Sequence, residues 1–402
     1  MKRLTSLALV ASLVSSLATG VSAAPAPRSI DAFGAKLHVE VAKTKPKANL
    51  VYSPASVAIA LAMTREGARA QTATEMDAVL GAGTGADARA LLKSLAAPAG
   101  KPQPGMPLPP ELSIANRLFG EQTTVFEKAF LDITRDGYGA PIEALDFKKQ
   151  HEAARAKINA WVERQTKDKI KNLLAKGTVD DETRLVLVNA IYLKAQWAVP
   201  FQVSATRPSK FAIEGAGNKQ VSTMRTQARG SWGAHAGARM LDLPYSAGPG
   251  GPQLSMMLVV PDTAKLDAIE AVYARNGLAP FMAATGTHGK VNVALPRFKI
   301  DGDFDLGKSL EAMGMPRAFT DNAEFGGISK LPTKISKVIH KAWIQVDEKG
   351  TEAAAETAVV MAEITSVDMT PIHDFAVDRS FLFFIHDQNG TVLFGGRVID
   401  PS

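Results

Sequence analysis

The residue types that carry most protein chemistry are sparse in this chain and form no catalytic pattern. The sequence has 402 residues, no cysteine and seven histidines. The lack of cysteine excludes a thiol nucleophile, a disulfide framework, cysteine-ligated zinc and iron–sulfur clusters. No two histidines have metal-ligand spacing, and no G-x-S-x-G, H-E-x-x-H or G-x-x-x-x-G-K-[ST] pattern occurs. We therefore expect neither an enzyme nor a metal or cofactor site.

One acidic stretch begins like a calcium-binding loop. Residues 301–305 read DGDFD, but Leu306 stands where the sharp turn of such a loop needs glycine, and Ala312 stands where a bidentate glutamate is needed. The stretch is therefore predicted to be a polar turn.

Composition and charge exclude several classes of protein. With 46% hydrophobic and 21% charged residues, the chain has enough apolar material for a packed core and does not resemble a disordered protein. The net charge of +6 is too mild to indicate a nucleic-acid partner. The apolar stretch at 185–197 contains Asn189 and Lys194, so we expect no membrane span there.

The N-terminus has the layout of an export signal. Lys2 and Arg3 precede an apolar run over 4–17, and small residues at 21–23 resemble a cleavage site. An anchoring helix is the alternative, and it is disfavoured because no basic stop-transfer cluster follows. The pattern predicts a signal peptide over 1–23, a single domain over 24–402, and a secreted or periplasmic protein.

The most informative stretch covers residues 335–369, and its unusual part is the segment 351–364. Small or apolar side chains occupy every second position, at Thr351, Ala353, Ala355, Thr357, Val359 and Met361. Glu352 and Glu356 lie on the opposite face. This alternation is typical of a strand with one buried face, yet alanine is a poor strand former. An alanine-rich helix is the alternative for this segment, and Gly350 and the β-branched residues at 357, 359 and 360 disfavour it. The segment is therefore patterned for a sheet that it need not occupy permanently.

The elements that would position this segment are mixed in type. Apolar spacing predicts a helix starting at Pro54 and another over 151–174. Strand-like runs cover 185–193, 254–261, 291–296, 381–385 and 392–394. Asn389-Gly390 between the last two runs predicts a hairpin. Together these elements indicate an α+β fold with antiparallel or mixed sheets.

Eight segments of the chain resemble motifs of the serpin family. EKGTEAAAETAVVM (348–361) resembles the hinge of the serpin reactive loop. Seven further segments resemble serpin motifs in the same order: NLVYSPASVAIALAM (49–63), INAWVERQTKDKIKNLL (158–174), LVLVNAIYLKAQW (185–197), LPRFKID (295–301), FGGIS (325–329), ISKVIHKA (335–342) and RSFLFFI (379–385).

The resemblance implies one domain with three β-sheets, about nine helices and a reactive-centre loop at about 349–371. It implies a monomer that inhibits a serine protease by a suicide mechanism. The protease attacks the loop, forms an acyl-enzyme, and is trapped covalently when the loop inserts into the central sheet. No cofactor, nucleic acid or membrane is implied. The alternative is a non-inhibitory serpin that serves as a carrier, chaperone or storage protein.

Matching positions imply the site residues. The shutter, a buried polar cluster under the strands that must part, would comprise Ser53, Ser56, Asn189 and His340. The breach, where insertion starts, would comprise Trp197, Arg297 and Glu348. The hinge would comprise Gly350, Thr351, Glu352, Ala353, Ala354 and Ala355. Three positions depart from the family pattern: Ala70 and Ala195 stand where glycine is frequent, and Glu356 replaces a small hinge residue.

The family's spacing also implies the cleaved bond. Counting from Glu348 places it between Ile364 and Thr365, and the alternatives are Glu363 and Met369. Residues 350–378 contain no lysine or arginine, so a trypsin-like pocket would have no basic side chain to bind. The expected targets are elastase-, subtilisin- or chymotrypsin-like proteases.

Overall fold

The protein combines nine α-helices and fifteen strands within the described residues. The computed structural model describes residues 29–81, 83–95, 108–263, 265–351 and 371–402. The helices are α1 Ser29–Thr44, α2 Pro54–Arg65, α3 Ala70–Leu80, α4 Thr84–Leu95, α5 Lys128–Asp132, α6 Phe147–Gln165, α7 Leu266–Asn276, α8 Ala279–Ala284 and α9 Gly307–Met313. None of these helices is long and apolar enough to cross a bilayer.

Fifteen strands accompany these helices in the described part of the chain. They are β1 Leu50–Tyr52, β2 Glu111–Glu121, β3 Glu143–Leu145, β4 Leu185–Gln196, β5 Arg207–Ile213, β6 Gly217–His235, β7 Ala238–Pro244, β8 Leu254–Pro261, β9 Thr287–Pro296, β10 Phe298–Asp305, β11 Lys337–Val346, β12 Gly350–Thr351, β13 His373–Ala376, β14 Phe381–Asp387 and β15 Val392–Val398. The predicted α+β class is confirmed.

The strands form two hydrogen-bonded networks. One is a six-stranded sheet in the order β10-β11-β12-β4-β2-β3. The other has nine strands in the order β1-β15-β14-β8-β7-β6-β9-β13, with β5 paired to β6. The 19-residue β6 pairs with β5 over 217–223, with β9 over 223–232 and with β7 over 231–235. Since this one strand joins two sheets, the three expected sheets are connected as two networks.

Helix α2 lies in the centre of the molecule. Ser53 caps its N-terminus by accepting the N–H of Ser56, and Pro54 occupies its first turn. The helix packs against β2 and β4 on one side and β15 on the other. Every residue from Pro54 to Thr64 is therefore buried, not only the one apolar face that its sequence shows.

Helix α6 covers the opposite face of the six-stranded sheet. Its Ile158, Trp161 and Val162 share a core with Val186 and Val188 of β4. The helix begins before the predicted 151–174 span and ends at Gln165. It stops there because the next residues, including Lys167 and Asp168, adopt positive φ.

The predicted polar turn at 301–305 is wrong, because these residues belong to β10. The strand alternates in burial, with Gly302 and Phe304 inside and Asp301, Asp303 and Asp305 exposed. The exposed face explains the carboxylates, while pairing with β11 supplies the backbone hydrogen bonds. In contrast, the predicted hairpin is present: β14 and β15 pair antiparallel around Gly390, whose φ is +82°.

Candidate functional site

A gap at one end of the six-stranded sheet holds the first residues of the predicted hinge. After β11 the chain turns through Asp347, whose N–H donates to the Gly350 carbonyl at 2.9 Å. Strand β12 then runs antiparallel to both neighbours, with Thr351 opposite Val346 of β11 and Ala195 of β4. Beyond β12, β11 and β4 pair directly as parallel strands. The sheet is thus split at one end and closed at the other.

The two residues of β12 fit this gap closely. A Cβ at Gly350 would lie 2.0 Å from the carbonyl oxygen of Ala195, so a larger residue would displace the strand. Thr351 is 1% exposed, and its Oγ1 lies 2.6 Å from the hydroxyl of Tyr245. The inward orientation of Thr351 agrees with the alternation in the sequence.

The remaining loop residues singled out from the sequence lie outside the described part of the chain. They are the hinge residues Glu352, Ala353, Ala354 and Ala355, and the cleavage-site candidates Glu363, Ile364, Thr365 and Met369.

Trp197 packs at the entrance to the gap, beside the turn that leads into β12. Its ring stacks on Tyr245 with centroids 4.5 Å apart and planes at 7°. Its Nε1 donates to the carbonyl of Asp347 at 3.0 Å, and its backbone N–H donates to the carbonyl of Lys349 at 2.9 Å. The indole therefore holds the turn between β11 and β12 in place.

Glu348 lies in the same turn and forms an ion pair with Arg297. Arg297 Nε donates to both carboxylate oxygens at 2.9 Å, and Thr206 Oγ1 donates to Oε1 at 2.5 Å. The Glu348 side chain is 5% exposed, whereas that of Arg297 is 45% exposed. Burial acts to raise the pKa of Glu348, but the hydrogen bonds from Arg297 and Thr206 outweigh it, and the pKa lies below its ordinary value.

The predicted shutter residues meet where β11 and β4 pair directly. His340, Asn189 and Asn116 lie opposite one another across β11, β4 and β2. The N–H of Ser53 donates to His340 Nε2 at 2.9 Å, and His340 Nδ1 contacts Asn189 Oδ1. Asn189 Nδ2 donates to Ser56 Oγ at 2.5 Å and also to Asn116 Oδ1. One connected network thus ties the three strands to the start of α2.

The hydrogen bonds of His340 define its charge. A backbone N–H can only donate, so His340 Nε2 accepts and the ring proton sits on Nδ1. Burial lowers the pKa of His340 to about 3. The imidazole is therefore neutral at physiological pH.

Sequence reasoning missed three residues of this site. Asn116 belongs to the polar cluster, Tyr245 binds Thr351, and Thr206 binds Glu348. For Asn116 a signal was available, because it stands at an inward position between Ile114 and Leu118 in a strand-like run. No local pattern marks the other two, because their partners are more than 100 residues away.

The comparisons with known proteins agree with this geometry. The family model described as "Serpin (serine protease inhibitor)" matches residues 28–401. This chain belongs to the serpin family. A leukocyte elastase inhibitor from Sus scrofa is 37% identical over 369 residues, covering 89% of this chain and 95% of that protein. Serpin B6 from Macaca fascicularis is 37% identical over 88% of this chain and 93% of its own length.

A solved serpin structure is similar over the same range. The crystal structure of Serpin48, described as a highly specific serpin in the insect Tenebrio molitor, has a TM-score of 0.78 and 32% identity. The match covers 93% of this chain and 97% of that one. The predicted serpin fold is confirmed, and so is the prediction of a protease inhibitor rather than an enzyme.

The prediction of a secreted or periplasmic serpin is wrong. The pattern on which it rests occupies residues 1–23, which lie outside the described part of the chain. Among the similar proteins, the leukocyte elastase inhibitors of Sus scrofa and Homo sapiens and serpin B6 are intracellular clade B serpins. A short apolar run after two basic residues is a pattern of composition, and it carries less weight than similarity over 89% of the chain.

Proposed function

We propose that this serpin traps serine proteases by continuing β12 into the six-stranded sheet. The observation that carries the proposal is β12 itself, a strand of two residues placed antiparallel between β11 and β4. After the protease serine attacks the loop carbonyl, the new amine end leaves and an ester joins the loop to the protease. The freed loop then extends β12, and the ester-bound protease moves with it.

The register of β12 supports this extension. Thr351 lies opposite Ala195 and Val346, so six residues further Thr357 would lie opposite both Asn189 and His340. In the closed sheet Asn189 and His340 already lie opposite each other. One inserted strand therefore fits both neighbours without a shift. The hydroxyl of Thr357 would enter the polar cluster with the same inward orientation as Thr351.

Insertion replaces one strand pairing with two. At about 1 kcal/mol for each net backbone hydrogen bond, a dozen new bonds supply on the order of 10 kcal/mol. This free energy is large enough to distort a protease held by an ester bond. The polar cluster at His340 would restrain the closed sheet until cleavage releases the loop.

The proposed targets are proteases that prefer apolar or small residues. Residues 350–378 offer no lysine or arginine to a trypsin-like pocket. Similarity to proteins named leukocyte elastase inhibitor supports an elastase-like target. The proposed cleavage site is Ile364–Thr365, with Glu363 and Met369 as alternatives.

The test is to mix the purified protein separately with elastase, subtilisin, chymotrypsin and trypsin. Denaturing gels reveal covalent complexes, and mass spectrometry identifies the released peptide. We expect a gel-stable complex with at least one of the first three and a peptide of residues 365–402. A protease whose catalytic serine is blocked is the control and should give no complex.

Two other outcomes would overturn parts of the proposal. A complex with trypsin alone would contradict the proposed target class. Cleavage of the loop by every protease with full release of active protease would contradict inhibition and favour the carrier, chaperone or storage alternative.

A further inference from the structure

A second buried histidine lies in the nine-stranded network, whereas the shutter lies in the six-stranded sheet. His386 on β14 is 3% exposed. Its Nδ1 lies 2.9 Å from the carbonyl oxygen of Asp387, and its Nε2 lies 3.0 Å from Asp242 Oδ1. A carbonyl and a carboxylate both accept hydrogen bonds, so both ring nitrogens must carry protons. The geometry therefore describes an imidazolium paired with a carboxylate.

We propose that His386 and Asp242 form a proton-dependent clamp that ties β14 to β7 across β8. In the register of this network, Phe384 of β14 lies opposite Met257 of β8, which lies opposite Asp242 of β7. His386 lies two residues after Phe384 on β14, and its imidazolium reaches diagonally over β8 to the carboxylate of Asp242. The clamp thus connects two strands that share no hydrogen-bonded ladder.

Acidic groups from three elements contact His386 or the hairpin that carries it. Asp242 comes from β7, and Asp387 ends β14 and accepts the N–H groups of Asn389 and Thr391. Asp31 on α1 accepts the N–H of Val392 in the same hairpin. Protonated His386 supplies positive charge to this buried, acid-rich hairpin.

These groups set the direction in which protonation changes. Burial by itself lowers the pKa of His386, but the hydrogen bond and charge of Asp242, together with Asp387, outweigh it and raise the pKa above its ordinary value. A raised pKa in the folded state means that the clamp is fully effective below the unfolded pKa of about 6.5. Its contribution disappears as the pH rises through the folded pKa.

Loss of the proton would leave a ring nitrogen facing an acceptor in a buried position. That arrangement has no hydrogen bond and repels the acceptor. The native protein should therefore become less stable on the alkaline side of neutrality, independently of any protease. The inference does not rest on the proposed inhibitory function.

Nitrogen NMR of the histidine rings tests the charge directly. The protein is labelled with 15N-histidine, and the variant His386→Gln identifies the signal of His386. We expect both nitrogens of His386 to show the protonated shift at pH 7.5, and Asp242→Asn to convert the ring to a neutral form at that pH. A neutral His386 in the unmodified protein at pH 7.0 would overturn the proposal.

Thermal unfolding tests the consequence. From pH 6 to pH 9 the melting temperature should fall by roughly 2 °C more in the unmodified protein than in His386→Gln or Asp242→Asn. His38→Gln is the matched control, because His38 is also buried beside a carboxylate, Glu270, but its Nδ1 has no hydrogen-bond partner among the described residues. From pH 6 to pH 9, the melting temperature of this control should fall by as much as that of the unmodified protein. An equal alkaline loss in all four proteins would contradict the clamp.

Discussion

The two networks of strands are each tied together by a buried histidine, and the two histidines differ in charge. His340 accepts a backbone N–H and is neutral, with a pKa of about 3. His386 faces two acceptors, so both of its ring nitrogens carry protons and the ring is positively charged, with a raised pKa. Burial is nearly equal at 0% and 3%, so the hydrogen-bond partners decide the charge.

This difference matches what each network is proposed to do. Neutral hydrogen bonds contribute about 0.5–1.5 kcal/mol each and can be exchanged for others without separating charges. Breaking a buried ion pair by removing one partner costs about 3–5 kcal/mol. The sheet that is proposed to open is thus closed by exchangeable contacts, whereas the network behind it is held by an ion pair.

The largest expected effect comes from blocking the gap of the six-stranded sheet. Thr351→Arg places a charge where a buried hydroxyl binds Tyr245, so β12 cannot extend inward. We expect the covalent protease complex to fall at least tenfold on denaturing gels while cleavage of the loop continues. Lys349→Arg is the control, because its side chain is exposed and its charge is kept. An undiminished complex in Thr351→Arg would show that insertion does not start here.

The next effect concerns the neutral histidine. His340→Leu leaves the N–H of Ser53 and the side-chain Oδ1 of Asn189 without their partner on this residue, which should lower the free energy of unfolding by about 2–4 kcal/mol. The measurement is urea unfolding at pH 7.5.

The pH dependence of the same variant distinguishes the two histidines. The folded pKa of His340, about 3, lies below its ordinary value of 6.5, so its contribution is present above pH 6.5 and is lost as the pH falls. The difference in free energy of unfolding between the unmodified protein and His340→Leu should therefore become smaller from pH 7.5 to pH 5. For His386→Gln the corresponding difference should become smaller as the pH rises instead. The same direction for both variants would contradict the comparison.

A smaller effect is expected at the entrance to the gap. Arg297→Met leaves the buried carboxylate of Glu348 with Thr206 as its remaining side-chain donor, and should lower stability by about 1–2 kcal/mol, less than a fully buried pair because Arg297 is 45% exposed. Since the pKa of Glu348 is lowered, this contribution is present above its ordinary value of 4.5 and is lost as the pH falls. Melting temperatures at pH 7 and pH 3.5 check this, and an equal deficit at both would contradict it.

The smallest effect is a gain in stability away from both histidines. Ala70 begins α3 with a φ of +42°, a conformation that costs a residue with a Cβ about 1 kcal/mol. Ala70→Gly should recover about that amount and leave the pH profile unchanged. A pH-dependent gain would show that α3 is coupled to one of the two networks.

The sequence predicted elements better than it predicted their pairing. Apolar runs marked β4, β8, β14 and β15, because each strand is buried on both faces. The carboxylates of β10 concealed a strand, since only its inward face is apolar. Local patterns report burial, and β10 is stabilised mainly by its long-range pairing with β11.

The candidate site shows the same limit. The resemblance to serpins identified His340 and Asn189 as site residues. The register that places Asn116 beside them, however, depends on strand pairing across 73 residues. The charge of a histidine also depends on distant partners, since the carboxylate that holds the proton on His386 is 144 residues away. Neither property can be read from the residues around each histidine.

The most direct test of the account compares the intact protein with the protein cleaved in its loop. Thermolysin, which forms no ester with its substrate, can cut the loop without being trapped. If the cleaved loop extends β12 between β4 and β11, about a dozen added backbone hydrogen bonds should raise the melting temperature by roughly 10 °C or more. A cleaved protein that melts at the same temperature as the intact protein, or below it, would show that the loop does not insert.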